Sequence, residues 1–205
     1  MKNDKKELIL EAAQELMCQM SGKDISVNLI AKKAGIAKGS VYYYFNSKDE
    51  ILDAVVEKCY RNAIHEFFRE LDSEKSALQK INLLFNSIIK SEFSNKEKNL
   101  IINLHLSDDL VLHQKMKMIA IKEISPIFTA LLRQGAIEGS IETEYPKESA
   151  EMIVAILTFL IDDKSFPSDS ITMEMKLKFF SYCLEMCLKA TPGSFDFLHK
   201  PIDTN

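Results

Sequence analysis

Between Ser26 and Lys48 the chain gathers side chains that can hold an anion or read a patterned hydrogen-bonding surface: Ser26, Asn28, Lys38, Ser40, Tyr42, Tyr43, Tyr44 and Lys48. Three consecutive tyrosines supply apolar bulk together with hydroxyls that can donate to phosphate oxygens. That is more aromatic surface than a small core needs. Lys38 and Ser40 can address the polar edges of bases, and Gly39 between them lets a foreign backbone approach closely. The chemistry offered is recognition of a polyanion.

These side chains need two short helices and a tight turn to position them. Leu29, Ile30 and Ala34 fall at helical spacing, so Val27 to Ala34 reads as about two turns with one apolar face. Ser26 stands as its N-cap. Gly35 follows the last periodic residue, where glycine ends a helix without a Cβ clash, and Gly35-Ile36-Ala37 forms the turn. In the second helix Val41 and Phe45, four apart, share the core face. This is the helix-turn-helix pattern, whose second helix enters a DNA major groove. Ser47-Lys48-Asp49-Glu50 is an S-x-x-E capping box that starts the next helix, before Ile51 and Leu52; its first N–H groups are expected to be available to a phosphate.

The run from Ile30 to Leu52, IAKKAGIAKGSVYYYFNSKDEIL, resembles the DNA-binding signature of the tetracycline-repressor (TetR) family of bacterial transcription regulators. The matching positions are Ile30-Ala31, Ala34-Gly35-Ile36, Lys38-Gly39-Ser40, Val41-Tyr42, Tyr44-Phe45 and Lys48, with spacing intact. The resemblance implies an all-α fold. It places a three-helix DNA-binding domain over residues 1–50, its core extending into the helix that starts at 47, and a helical effector-binding and dimerisation domain over 51–205. It further implies a cytoplasmic homodimer, a repressor rather than an enzyme, that binds a palindromic operator in double-stranded DNA and is released by a small-molecule effector. Carried over residue by residue, Lys38 and Ser40 read bases and Gly39 allows close approach. Tyr42, Tyr43, Tyr44 and Lys48 hold phosphates, with Ser26 and Asn28 contributing from the preceding helix. Where some family members have Thr, Ser40 keeps the hydroxyl; Val27 and Asn28 bring no charge to the first helix.

Net charge alone does not suggest DNA. The 205-residue chain carries a formal −4, and residues 1–50, with eight Lys against seven Asp or Glu, are only marginally positive. The reading rests on the placement of a few residues. Cys18, Cys59, Cys183 and Cys187 form no CxxC pair and no zinc spacing, and read as reduced, buried packing residues. No apolar run approaches the roughly 18 residues that span a membrane, and no secretory h-region follows Met1–Lys6. Neither G-x-S-x-G, P-loop, H-E-x-x-H nor G-x-G-x-x-G occurs, and the adjacent carboxylates Asp162 and Asp163 diverge on a helix. No cofactor or metal is implied: His105 and His113, even with Asp108 or Asp109, lack a diagnostic spacing.

Residues 1–6 read as a polar arm with Lys2, Lys5 and Lys6, followed by a helix from Glu7 to about Met20 with Leu8, Ile9, Ala12, Ala13, Leu16 and Met17 in one stripe. A long helix from Ser47 to about Leu71 completes the small core with Ile51, Leu52 and Val55. Further helices are predicted at about 74–93, 96–106, 109–135, 146–164 and 172–190, with Pro126 kinking the third of these, and a polar tail over 191–205. The last two helices are apolar on more than one face and need cover on more than one face. Ile153, Leu157, Leu160, Phe180, Leu184 and Cys187 are therefore assigned to a two-fold dimer interface, an arrangement that the resemblance also implies. For a largely apolar effector, Phe67, Phe85, Phe93, Met116, Phe128, Met152 and Phe159 are the available lining residues.

Overall fold

Apolar residues three and four apart recur along almost the whole chain, and among the described residues these stretches form helices. The computed structural model describes residues 2–70, 74–89, 110–162 and 167–199, with the side chains of 2–4, 63, 66–70 and 87–89 left aside. Among the described residues there are eight α-helices, one 3-10 turn and no strand. They are α1 (Lys2–Met17), α2 (Val27–Lys33), α3 (Lys38–Tyr44), α4 (Lys48–Glu70), α5 (Ala77–Ile89), α6 (Leu110–Glu138), α7 (Pro146–Leu160), α8 (Ser170–Cys187) and the 3-10 turn Asp196–Leu198. Residues 2–6, expected as an arm, continue α1 as helix. The expected helix at 96–106 lies outside the described residues. Pro126 stands inside α6, which is helical on both sides of it.

The chain forms two compact units. One holds residues 1–65 with 93–120 and the other 66–92 with 121–205, each in its described parts, so the division falls inside α4 after His65 and inside α6 after Ala120. Within α4 the first unit takes buried residues as far as Tyr60.

In the first unit Ile9, Ala13, Ile30, Val41, Phe45, Ile51, Val55 and Cys59 are all buried. Ion pairs at the rim join its helices: Lys33 with Glu15 at 2.7 Å, and Lys58 with Glu7. The ammonium of Lys115 on α6 lies 3.2 Å from Asp53 and 3.8 Å from Asp49 on α4.

In the second unit the core is built from Ile81, Leu84 and Phe85 of α5, Ile124, Phe128 and Leu132 of α6, Ile153, Val154 and Leu157 of α7, and Phe180 and Leu184 of α8. Gly135 is required where α6 meets the following loop, since a Cβ there would stand 2.7 Å from Ile141 Cδ1. Cys59 is buried as expected, but Cys18 and Cys183 are only half-buried and Cys187 is exposed; none of the four is in a disulfide.

Glu138, at the end of α6, caps α5. Its carboxylate accepts the Ala77 N–H at 2.9 Å, and Gln134 of the preceding turn donates to the Lys75 carbonyl. The Ala77 N–H, and then the Gln134 amide, hold the Glu138 carboxyl below the ordinary glutamate value of 4.5. A carboxyl whose folded value is depressed contributes stability that is present above 4.5 and is lost as pH falls through the lowered folded value. Glu138→Gln should therefore be less stable than the parent at neutral pH, and the gap between their urea midpoints should close as pH falls to about 3. A gap that stays constant with pH would remove the charged cap from the account.

Candidate nucleic-acid interface

The recognition elements begin with a local cap. Ser26, in extended backbone, accepts the Leu29 N–H at 3.2 Å and starts α2 as its spacing predicts. At the other end Gly35 takes φ +67, and the Ile36 N–H reaches back to the Ala31 carbonyl at 3.1 Å while the Gly35 N–H bonds Lys32 at 3.3 Å. This is the Schellman ending, and it needs a residue that enters the left-handed region without cost. Ala37, extended at ψ 142, then starts α3.

Helix α3 has seven residues, of which only Val41 is buried; Phe45, immediately after it, is the second anchor. Everything else faces outward. Lys38, Gly39, Tyr42 and Tyr43 are exposed, Tyr43 at 65%, and Ser40 and Tyr44 are half-buried. The Lys38 ammonium lies 5.9 Å from the centre of the Tyr42 ring, one turn along, and the Tyr43 and Tyr44 rings meet edge to face at 5.0 Å. These contacts hold long side chains in place on the helix surface and reduce the rotamer freedom left to lose on binding. Ser26 and Asn28 are exposed on α2.

Gly39 has a revealing position. It is helical and exposed, and a Cβ added to it would meet nothing within 4 Å. Glycine inside a helix costs about 0.5–1 kcal/mol relative to alanine, and no contact within the chain requires it here.

Two expectations change at the start of α4. The Lys48 ammonium donates to the Gly22 carbonyl at 2.9 Å, so it ties the loop after α1 to α4. Ser47 accepts the Glu50 N–H at 3.1 Å as a capping box requires, but the Glu50 carboxylate accepts from the backbone and side-chain N–H of Asn46, at 2.7 and 3.0 Å. Asp49 and Glu50 also stand in the first turn, so two carboxylates lie beside the N–H groups expected to meet a phosphate. Lys32, exposed at the end of α2, was not singled out from the sequence. The Lys32-Lys33 pair marks the spot, and it takes the Lys33–Glu15 contact to show which of the two turns inward.

The residues assigned to an effector divide. Phe85 and Phe128 line one cavity in the second unit, of about 30 Å³, with Ile124, Val154, Leu157, Thr158 and Ile161. Met116 is buried in the first unit, and Met152 is 65% exposed. Phe159 lines a shallow surface groove with Ala155, Ile156 and Leu160. The Phe67 side chain and Phe93 lie outside the described residues.

The residues assigned to a dimer interface divide as well. Ile153, Leu157, Phe180 and Leu184 are buried by their own chain. Helical phase explains this: α7 and α8 are apolar on two faces, and these four residues belong to the face the monomer covers. The outward face carries Met152 and Ile156 on α7, and Ile171, Met175, Phe179, Tyr182 and Met186 on α8, all exposed. Cys187 lies at the end of α8, exposed, and Leu160 is half-buried at the surface groove.

Comparison with known proteins completes the picture. Residues 9–55 match the profile described as bacterial regulatory proteins of the tetR family, and residues 88–183 match the tetracyclin repressor-like C-terminal domain. The fatty acid metabolism regulator protein of Bacillus subtilis is 23% identical over 165 residues, covering 77% of this chain and 84% of that protein. The regulator SrpR of Pseudomonas putida is 28% identical over 108 residues, but the match spans only about half of each chain, 53% and 50%. Among solved structures, RolR in complex with resorcinol superposes with a TM-score of 0.70 at 14% identity, over 98% of this chain and 95% of that one. The fatty acid degradation regulator FadR from Bacillus halodurans gives 0.59 at 20% identity, over 97% and 96%. At such identities the structural likeness establishes the fold alone.

The isolated chain should reveal the cost of Gly39. Gly39→Ala is expected to raise the unfolding free energy by about 0.5–1 kcal/mol, read from thermal or urea denaturation. A loss of stability would mean that the glycine serves the fold after all.

Proposed function

The chain belongs to the TetR family of bacterial transcription regulators, and from that premise we propose that it is a homodimeric repressor, released from a palindromic operator by a small, largely apolar effector. The observation that carries this reading is α3, a helix with one buried residue and a continuous outward surface of Lys38, Gly39, Ser40, Tyr42 and Tyr43. Lys38 and Ser40 read base edges. The tyrosine hydroxyls hold phosphates, as Ser26 and Asn28 do from α2. Gly39 lets the helix backbone lie close to the duplex. Lys48 serves first as a structural tie, and its remaining two N–H groups are left for a phosphate.

Dimerisation is supported by the outward stripe of α8. Ile171, Met175, Phe179, Tyr182 and Met186 recur at steps of four and three, the period of one helix face. An exposed apolar stripe of this length marks an association surface. A two-fold axis makes it self-complementary and places two recognition helices about one DNA turn, roughly 34 Å, apart.

The effector site is placed at the cavity between Phe85 and Phe128. Thr158 is its one hydroxyl, and it already donates to the Val154 carbonyl at 2.7 Å, so towards a ligand it can only accept. The fitting ligand is an apolar body with one hydrogen-bond donor. Release requires that such a ligand bind the conformation with low operator affinity better than the one with high affinity.

Three measurements test the reading. A duplex selected by the protein from random sequence should be palindromic, and its binding should weaken steeply with salt; no binding at low salt would sink the regulator assignment. On that duplex Tyr42→Phe should weaken matched and mismatched sites alike, whereas Lys38→Ala should cut the preference for the matched site by about 1–3 kcal/mol. Phe179→Asp should turn the dimer into a monomer in sedimentation and lose most operator affinity, while Phe179→Leu retains both. A Phe179→Asp chain that stays dimeric would move the interface off this stripe.

A further inference from the structure

We propose that residues 193–199 are a removable backing for the Phe85 wall of this cavity, joined to it by the Phe85–Phe197 pair, and that the strength of their attachment to α8 sets effector affinity. The inference rests on the cavity being the effector site.

A volume of about 30 Å³ holds a water molecule or little more, whereas small-molecule pockets run to about 300–1,000 Å³. A wall must therefore move. Close-packed helices on either side, with Phe128 and Leu157 buried among them, are costly to separate. The Phe85 side is built differently. Phe85 lines the cavity, and its ring is met edge-on at 6.2 Å by Phe197, which in turn lies 5.8 Å from Phe195. Phe195 and Phe197 belong to a short segment after the chain turns at Gly193, where φ is +90. That segment has little regular structure of its own beyond one 3-10 turn.

It is held by contacts to α8 and, through Phe197, to α5, and the His199 Nδ1 stands 3.3 Å from the Ser181 hydroxyl. The buried Ser181 hydroxyl donates to the Phe195 carbonyl at 2.7 Å. The Glu185 carboxylate accepts from the N–H groups of Gly193 and Phe195 at 2.7 and 3.2 Å. Phe195 is fully buried and Leu198 nearly so, which seats the segment. A segment whose regular structure is one 3-10 turn opens as a unit at lower cost than a core helix. With it lifted, Phe85 loses its backing and can swing outward, and the cavity extends into the space left by Phe197.

The apparent affinity of a ligand that needs the open form is reduced by the fraction of molecules that are open. Loosening the attachment must then tighten binding, although neither Ser181 nor Glu185 lines the cavity. A lining residue, or one that only stabilises the fold, has no such effect. Ligands admitted this way are flat apolar molecules of one or two rings that carry a hydroxyl as donor to Thr158.

The test uses the full-length chain and 1-naphthol, which has two rings and one hydroxyl, with binding followed by titration calorimetry. Ser181→Ala should bind it about ten-fold more tightly than the parent, the size expected when one buried hydrogen bond of the closed form is lost. Glu185→Gln should act in the same direction. In the parent, saturation with 1-naphthol should speed amide exchange across 193–199. If Phe128→Ala alters affinity while Ser181→Ala and Glu185→Gln leave it unchanged, the wall proposal is overturned and the cavity stays as the site. If 1-naphthol binds neither the parent nor any of these variants, the assignment of the cavity itself falls, and the wall with it.

Discussion

A seven-residue helix held to its domain by Val41 and Phe45 is the constraint on which the first unit depends. So short a helix is unstable alone, because nucleation costs more than its few hydrogen bonds return. Its conformation is borrowed from α1 and α2, which pack against it, and Val41 and Phe45 are buried in the same unit as Ile9, Ile30, Ile51 and Val55. The economy is functional, since each further residue used to hold α3 down would be one fewer on the surface it presents. The Lys6 ammonium, 5.5 Å from the centre of the Phe45 ring, reinforces the anchor from outside.

What was legible in the sequence were the features whose partners are close along the chain. The Ser26 cap, the left-handed Gly35 and the Ser47 cap each involve residues within five positions, and each forms as its spacing suggested. The reach of a long side chain was not legible. Lys48 finds the Gly22 carbonyl 26 residues back, and the Glu50 carboxylate turns to Asn46 instead of closing the box on Ser47. The spacing puts Lys48 on an anion-binding surface and Glu50 in a capping box, and in the structure they tie Gly22 and Asn46 to the start of α4.

The second unit was less legible for a different reason. Helices α7 and α8 are apolar on two sides, and composition does not say which side the monomer keeps. Ile153, Leu157, Phe180 and Leu184 went inward, leaving the stripe from Ile171 to Met186 outside. A phase error of one or two residues exchanges the two sets. The same ambiguity separates Phe85 and Phe128, which share a cavity, from Met152, which faces solvent. The tail offered no periodicity at all, yet Phe195 became one of the most deeply buried residues of the chain.

The acidic balance of the chain remains to be squared with a polyanionic partner. At physiological ionic strength charges are screened over about 8 Å, so the excess carboxylates elsewhere count for little at α3; those within one screening length decide. The nearest in sequence are Asp49 and Glu50. Glu50 spends one carboxylate oxygen on two N–H groups of Asn46, and Asp49 faces the Lys115 ammonium, which also meets Asp53. Lys38 stands on the recognition helix itself, over the Tyr42 ring with its charge exposed. Asp49 is thus partly offset by Lys115 while Lys38 presents its cation on α3 itself, so what matters for the proposed contact is the placement of these charges and not the total of the chain.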